Sequence, residues 1–150
     1  MLKPSDIHPD EELRDYLQNM ISVGLSGGSS QKVPVYGDWE RSTNNPPSDF
    51  IVIYLNGDID SVGMNVEYAE GYLMVSIYSK LNDDGSVKKN RVSKILAQFD
   101  ELIEKKATKN YFYRYDHLRF ITPTTPNISS GYSVTTLNLK WHTNNNFKIE

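Results

Sequence analysis

The sequence predicts an α+β fold, a mixed and largely antiparallel sheet with two helices packed on one face. Three observations predict it. Two segments each carry a single apolar stripe at helical spacing, so each buries only one side. Several strand-sized apolar runs are joined by short turn signals, which favours antiparallel neighbours. The order runs helix, strands, helix, two strands, which is not the strict alternation of a parallel α/β sheet. A chain of 150 residues with no internal repeat is read as one domain, residues 1–150, with flexible ends expected at 1–8 and 144–150.

The first helix is expected from Pro9 to about Ile21. Pro9 suits the first helical position, and Asp10, Glu11 and Glu12 complement the positive end of the dipole. Leu13, Tyr16, Leu17, Met20 and Ile21 share one face, and Gly24, Gly27 and Gly28 follow as terminators. Val33–Tyr36 reads as a short edge strand because Pro34 interrupts it. Gly37–Asp49 is a loop stiffened by Pro46-Pro47, in which Trp39 is either a lid over the core or an anchor for a partner.

Phe50–Asn56 is apolar on both faces, the mark of a central strand, and Asn56-Gly57 reads as a turn. Val62–Tyr68 and Tyr72–Ser79 are expected as strands joined at Ala69-Glu70-Gly71, with a turn at Asn82–Gly85. The second helix starts from a cap at Ser86 or Asn90 and runs to about Lys106. Its stripe is Val92, Ile95, Leu96, Phe99, Leu102 and Ile103. In the following strand Tyr111, Tyr113 and Tyr115 line one face, which either packs on a helix or meets a partner. Ile121–Ser130 is a second polar loop stiffened by proline, with Thr124, Thr125 and Asn127 as contact candidates. In the last strand Leu137, Leu139 and Trp141 alternate with Asn138, Lys140 and His142. Helices on one face leave the other sheet face to be covered by loops or another subunit.

Composition limits the function. The net charge of −3 and dispersed lysines and arginines argue against a nucleic-acid footprint, and Lys88, Lys89, Arg91 and Lys94 read as a solvated helix face. The absence of cysteine removes disulfides, thiolate nucleophiles and cysteine metal sites. No run approaches the roughly 20 apolar residues of a membrane span, and the acidic N-terminus does not read as a signal peptide.

No residue pattern points to catalysis, a cofactor or a metal. The Asp58/Asp60 and Asp83/Asp84 pairs read as turn chemistry, because a calcium loop needs more oxygen ligands at set spacing. His8, His117 and His142 lack ligand spacing, and Asp116-His117 in a strand would point to opposite faces. Leu25–Lys32 follows a helix, whereas a phosphate loop follows a strand. The chain is therefore expected to act by contact, not as an enzyme. Trp39 and Arg41 in the first loop are the contact candidates there.

The run GYLMVSIYSKLNDDGSVKKNRVSKILAQFDELIEKK, followed by FITPTTPNISSGYSVTTLNLKWHT, resembles the tail terminators of long-tailed phages, a group of minor tail or tail-completion proteins. The resemblance covers most of Phe50–Thr143 and rests on element order, length and the final hairpin. It implies an α+β subunit of a homo-oligomeric ring, a hexamer when assembled, and leaves open whether the free chain is a monomer. Such a ring caps the tail tube protein, stops tube growth and presents a surface to the head–tail connector protein. It also implies a place in the virion, with assembly in the host cytoplasm. A neck or connector subunit and a cellular protein–protein adaptor are the alternatives. The family has no short motif, so no functional position is carried over.

Overall fold

A computed structural model describes residues 6–24, 28–37, 47–61, 68–104, 108, 110–117, 121–127 and 130–143. Among the described residues there are two helices, α1 (Pro9–Leu17) and α2 (Lys89–Glu104). The strands are β1 (Ser22–Gly24), β2 (Ser30–Lys32), β3 (Val35–Gly37), β4 (Asp49–Ser61), β5 (Ala69–Lys80), β6 (Tyr111–Tyr115), β7 (Thr125–Asn127) and β8 (Tyr132–Thr143). The main sheet has the order β3-β4-β5-β8-β6, and β7 also pairs with β8. Among the described strands only β3–β4 is parallel; the other pairs are antiparallel. The expected α+β fold is therefore observed, with β1 and β2 forming a small separate hairpin.

Several boundaries differ from the sequence reading, each for a local reason. Helix α1 stops at Leu17 because Asn19 takes a positive φ of 63°, a conformation asparagine tolerates near helix ends. Asn56-Gly57 is not a turn. It lies within β4, where Gly57 (φ 78°) sits in a register shift between Asn56 and Asp60, as glycine does in a bulge. Ala69-Glu70-Gly71 is not a connection but the start of β5. Of the strand expected at Val62–Tyr68, only Tyr68 lies among the described residues, and it precedes β5.

Helix α2 begins at Lys89, so neither Ser86 nor Asn90 stands at its cap. Ser86 instead closes the Asn82–Gly85 turn, donating its N–H (2.9 Å) and hydroxyl (2.5 Å) to Asp84 Oδ1. These two bonds, the hydroxyl first, hold the Asp84 carboxyl below the usual range. At the N-terminus, residues 6–8 are not loose. Ile7 is buried, and the His8 N–H donates to the Tyr111 hydroxyl at 2.9 Å. The expected flexible end at 144–150, the helix end at Lys105 and Lys106, and residues 1–5 lie outside the described residues.

Strand registers define two faces. On the first, Ile51 and Ile53 face Ile77 and Val75 across β4–β5, and Leu73 and Gly71 face Leu139 and Trp141 across β5–β8. All these positions are buried, as are Leu13 and Leu17 of α1 and Ile95, Phe99, Leu102 and Ile103 of α2. They form one hydrophobic cluster. Each fully buried side chain of this size contributes about 1.5–3 kcal/mol. Both helices thus cover the same face, and their hydrogen bonds to the odd-numbered tyrosines of β6 fix them there.

A buried ion pair ties the layers together at one end. The Asp49 side chain is 2% exposed and accepts from Arg91 Nε (2.7 Å) and Arg91 Nη2 (2.6 Å). Its other oxygen accepts from Ser79 Oγ at 2.7 Å, and Arg91 Nη1 reaches the Gly24 carbonyl at 3.0 Å. One carboxylate therefore joins β4, β5, α2 and the β1–β2 hairpin.

Candidate functional site

Among the described residues, the second face of the sheet carries no helix. Its residues alternate with the core positions: Phe50, Val52 and Tyr54 on β4, the even positions Glu70–Lys80 on β5, Tyr132–His142 on β8, and Phe112 and Arg114 on β6. At one end this face closes on itself through aromatic contacts. Phe50 stacks on Tyr78 with ring centroids 4.6 Å apart, and Tyr132 meets Phe50 edge-on at 5.4 Å. Tyr36 of β3 adds a tilted contact with Phe50 at 6.1 Å, so Phe50 and Val52 are buried. The Tyr132 hydroxyl donates to the Pro47 carbonyl at 2.8 Å. Burial, with the Asp49 charge second, raises its pKa.

The opposite end stays open. Tyr72 is 40% exposed and Phe112 37% exposed. His142 lies between Phe112 and Tyr68, with centroids 5.2 Å and 5.9 Å away. Lys140 Nζ sits over the Tyr72 ring at 5.9 Å and 3.9 Å from Glu70 Oε2. Arg114 is directly across β6–β8 from Lys140. The Tyr68 hydroxyl is pushed up by burial and then by Glu70, while the Arg114 charge pulls it down. The result is an aromatic platform on which Lys140 and Arg114 lie among carboxylates, Glu70 beside Lys140 and Asp116 just past Arg114, where its N–H donates to the Asn138 carbonyl at 3.0 Å. Chemically it suits contact with a folded surface: rings for apolar area, cations for carboxylates.

The residues singled out from sequence are distributed differently. Tyr111 and Tyr113 are buried on the helix side, which removes them from the accessible surface and corrects their reading as contact residues. The Tyr113 hydroxyl donates to the Pro9 carbonyl at 2.8 Å, and Tyr111 packs edge-on against Trp141 at 5.6 Å. The half-buried Tyr115 donates to the Asp100 carboxylate. Desolvation pushes the Tyr111 pKa up to about 12 and raises those of Tyr113 and Tyr115 further.

The segment expected as a second loop is instead zipped onto the edge of β8. Ile121 bridges Leu137, Thr122 Oγ1 donates to the Thr136 carbonyl at 3.0 Å, and Thr125–Asn127 pair as β7. Thr124 is turned inward, its hydroxyl 2.5 Å from that of Thr135. Thr125 and Asn127 are exposed. Asn127 also closes the turn into β8, its carbonyl accepting from Gly131 N–H at 3.0 Å. Trp39 and Arg41 lie outside the described residues.

Sequence reasoning missed the open platform as a unit. Its available signal was Tyr72, Met74 and Tyr78 at even-numbered positions of β5, apolar or aromatic where a solvated strand would be polar.

Elsewhere, a shallow hollow of about 420 Å³ at the start of α2 is lined by Asn82, Val87, Lys88, Lys89, Asn90 and Arg91. Arg91 there is turned to Asp49. Among the described residues no three His, Cys, Asp or Glu side chains group as a metal site requires. No helix among them is long and apolar enough to cross a membrane. No protein-family model matches the chain, and no curated protein matches its sequence.

Proposed function

We propose that the chain is a structural protein of a long-tailed phage, a tail terminator subunit acting by contact rather than by catalysis. In this reading, copies close into a ring on the end of the tail tube. The ring stops further addition of tube protein and offers its far side to the head–tail connector. The observation that carries the reading is the one-sided sheet. Two helices cover one face, while the other exposes Tyr72 and Phe112 beside Lys140 and Arg114. A subunit designed to remain single would be expected to cover or charge such rings more fully. Neighbours in a ring supply that cover, and a head-to-tail contact closes when its rotation permits. The final hairpin that resembles tail terminators, β7 with β8, lies within the same sheet.

The test is the mass and shape of the purified protein with and without tail tubes, by light scattering and negative-stain microscopy. Rings, free or seated on tube ends, are expected. A protein that leaves tube length and tube ends unchanged would sink the reading. Replacing Trp39 and Arg41 together with alanine then asks whether the first loop takes part. Unchanged capping would remove it.

A further inference from the structure

We propose that Asn56-Gly57 is a self-modifying site, where the Asn56 side-chain amide is lost through a succinimide and a carboxylate takes its place. The reaction uses water alone, and the proposal does not rest on the terminator reading. The Gly57 amide nitrogen attacks Asn56 Cγ, the bond from Cγ to the side-chain nitrogen breaks, and ammonia leaves. Water then opens the five-membered ring at either carbonyl, giving aspartate or isoaspartate. Asn56-Gly57 is the one Asn-Gly pair in the sequence. Glycine favours the closure because it has no Cβ to shield its nitrogen. The fold keeps the approach open as well. Leu55–Asp58 are exposed, and a Cβ added at Gly57 would meet nothing within 4 Å.

The ladder leaves the attacking nitrogen outside the sheet. The Ser48 carbonyl accepts from Lys80 N–H at 2.8 Å, and Ile51 N–H turns the other way to the Pro34 carbonyl at 2.9 Å. Even-numbered carbonyls of β4 therefore face β5, and odd-numbered N–H groups face away. Asn56, opposite Tyr72, is the last residue in register before the bulge. Its carbonyl faces β5, so the Gly57 N–H, trans across the same planar peptide, faces outward. The strand on that side, β3, has already ended at Gly37 opposite Ile53. Ring closure turns this peptide out of the strand and opens only the ladder bond of the Asn56 carbonyl, at the margin of the bulge. One such bond slows the reaction by about tenfold at most relative to the unfolded chain.

Asp84-Gly85 could close the same ring with loss of water, and the fold treats it in the opposite way. The Gly85 N–H is held by the Asn82 carbonyl at 2.9 Å. Asp84 Oδ1 accepts from the Ser86 N–H at 2.9 Å and the Ser86 hydroxyl at 2.5 Å, which keeps the carboxyl ionised and a poor target for attack. Nucleophile and electrophile are both occupied there, and neither restraint acts at Asn56-Gly57. The change at Asn56 reaches the open face. Asn56 is the cross-strand partner of Tyr72, over whose ring Lys140 Nζ sits. Aspartate adds a negative charge beside that ring, and isoaspartate lengthens the main chain by one methylene and removes the rung.

The test incubates the folded protein at mildly alkaline pH in heavy-oxygen water, with a parallel sample unfolded in guanidinium chloride. Peptide masses and enzymatic methylation of isoaspartyl carboxylates are the readouts. In the folded protein the peptide holding Asn56 should gain a carboxylate with one heavy oxygen, within about tenfold of the unfolded rate and faster as pH rises. Asp84 should stay unchanged when folded and form isoaspartate when unfolded. Asn56→Gln, which would need a six-membered ring, should lose the reaction, with circular dichroism confirming its fold. An Asn56 that stays intact in the folded protein overturns the site, whether or not it converts when unfolded. So does Asp84 isomerising as fast as Asn56 in the folded protein, because sequence and not the fold would then set the rate.

Discussion

Gly71 offers the sharpest test of the packing. It is the cross-strand partner of Trp141, whose indole is fully buried on the helix side. A Cβ added at Gly71 would sit 2.8 Å from Trp141 Cζ2 and 3.0 Å from both Cε2 and Nε1. Carbon atoms prefer about 3.5–4.0 Å, so the ring would have to retreat by roughly 0.5–1 Å. It has little room, with Tyr111 edge-on at a centroid distance of 5.6 Å. The backbone at Gly71 is not left-handed, so Gly71→Ala carries a steric penalty and no φ penalty. Overpacking of this kind costs about 1–3 kcal/mol. For a chain of 150 residues that corresponds to a Tm lower by roughly 2–12 °C.

The assay is urea unfolding read by circular dichroism, with the midpoint expected to fall at constant m-value. The partner variant is Trp141→Phe, which removes the indole atoms that Cβ would strike. The indole N–H has no hydrogen-bond partner among the described residues, so this change removes packing rather than a bond. In the Trp141→Phe background, Gly71→Ala should cost within about 0.5 kcal/mol of nothing, or stabilise through the lower chain entropy of alanine. An equal cost in both backgrounds would refute the reasoning, because the penalty would then not come from the ring. So would a Gly71→Ala protein as stable as the wild type.

The remaining predictions concern the buried polar groups. Asp49→Ala strands the Arg91 guanidinium and two layer contacts, and is expected to cost about 3–5 kcal/mol in chemical denaturation; a loss below about 1 kcal/mol would show that the pair is not structurally coupled. The raised tyrosine pKa values predict alkaline sensitivity. Because burial lifts Tyr111 to about 12 from an unfolded value near 10, its contribution to stability is complete below pH ~10. That contribution is lost as pH rises toward 12, and Tyr113 and Tyr115, raised further, extend the loss upward. Melting temperature against pH, followed with tyrosinate absorbance, should therefore begin to fall near pH ~10; a flat profile through pH ~12 would contradict the burial of these hydroxyls.

How much of this was legible depended on whether the signal was local. The α2 stripe read from sequence is the buried stripe, with Leu96 partly buried and the other five residues inside. The alternation of Leu137, Leu139 and Trp141 likewise gave β8 its inward face. Gly57 misled because one property, tolerance of positive φ, serves both a hairpin turn and a bulge. The β1–β2 hairpin and β7 were missed because they are three residues long and mostly polar, with neither period to detect. Pro126 within β7 discouraged a strand assignment, yet proline is tolerated on an edge. The Asp49–Arg91 pair spans 42 residues, and no local pattern announces such a partnership.

The same distinction explains why sequence alone allows the tyrosines of β6 either the core or an interface. Alternation places Tyr111, Tyr113 and Tyr115 on one face, but it does not state which face the helices take. That choice is made by long-range bonds, from His8 and Pro9 to Tyr111 and Tyr113 and from Asp100 to Tyr115. Once the odd positions turn inward, Phe112 and Arg114 must turn outward, since successive strand residues alternate. The contact chemistry then passes to the even positions, where Arg114 meets Lys140 and Phe112 meets His142. Burying three tyrosines on one side and exposing the cation–aromatic platform on the other are therefore one structural decision. A substitution that loosens α1 from the Tyr113 hydroxyl should disturb the platform as well as the core, although α1 packs on the other face of the sheet.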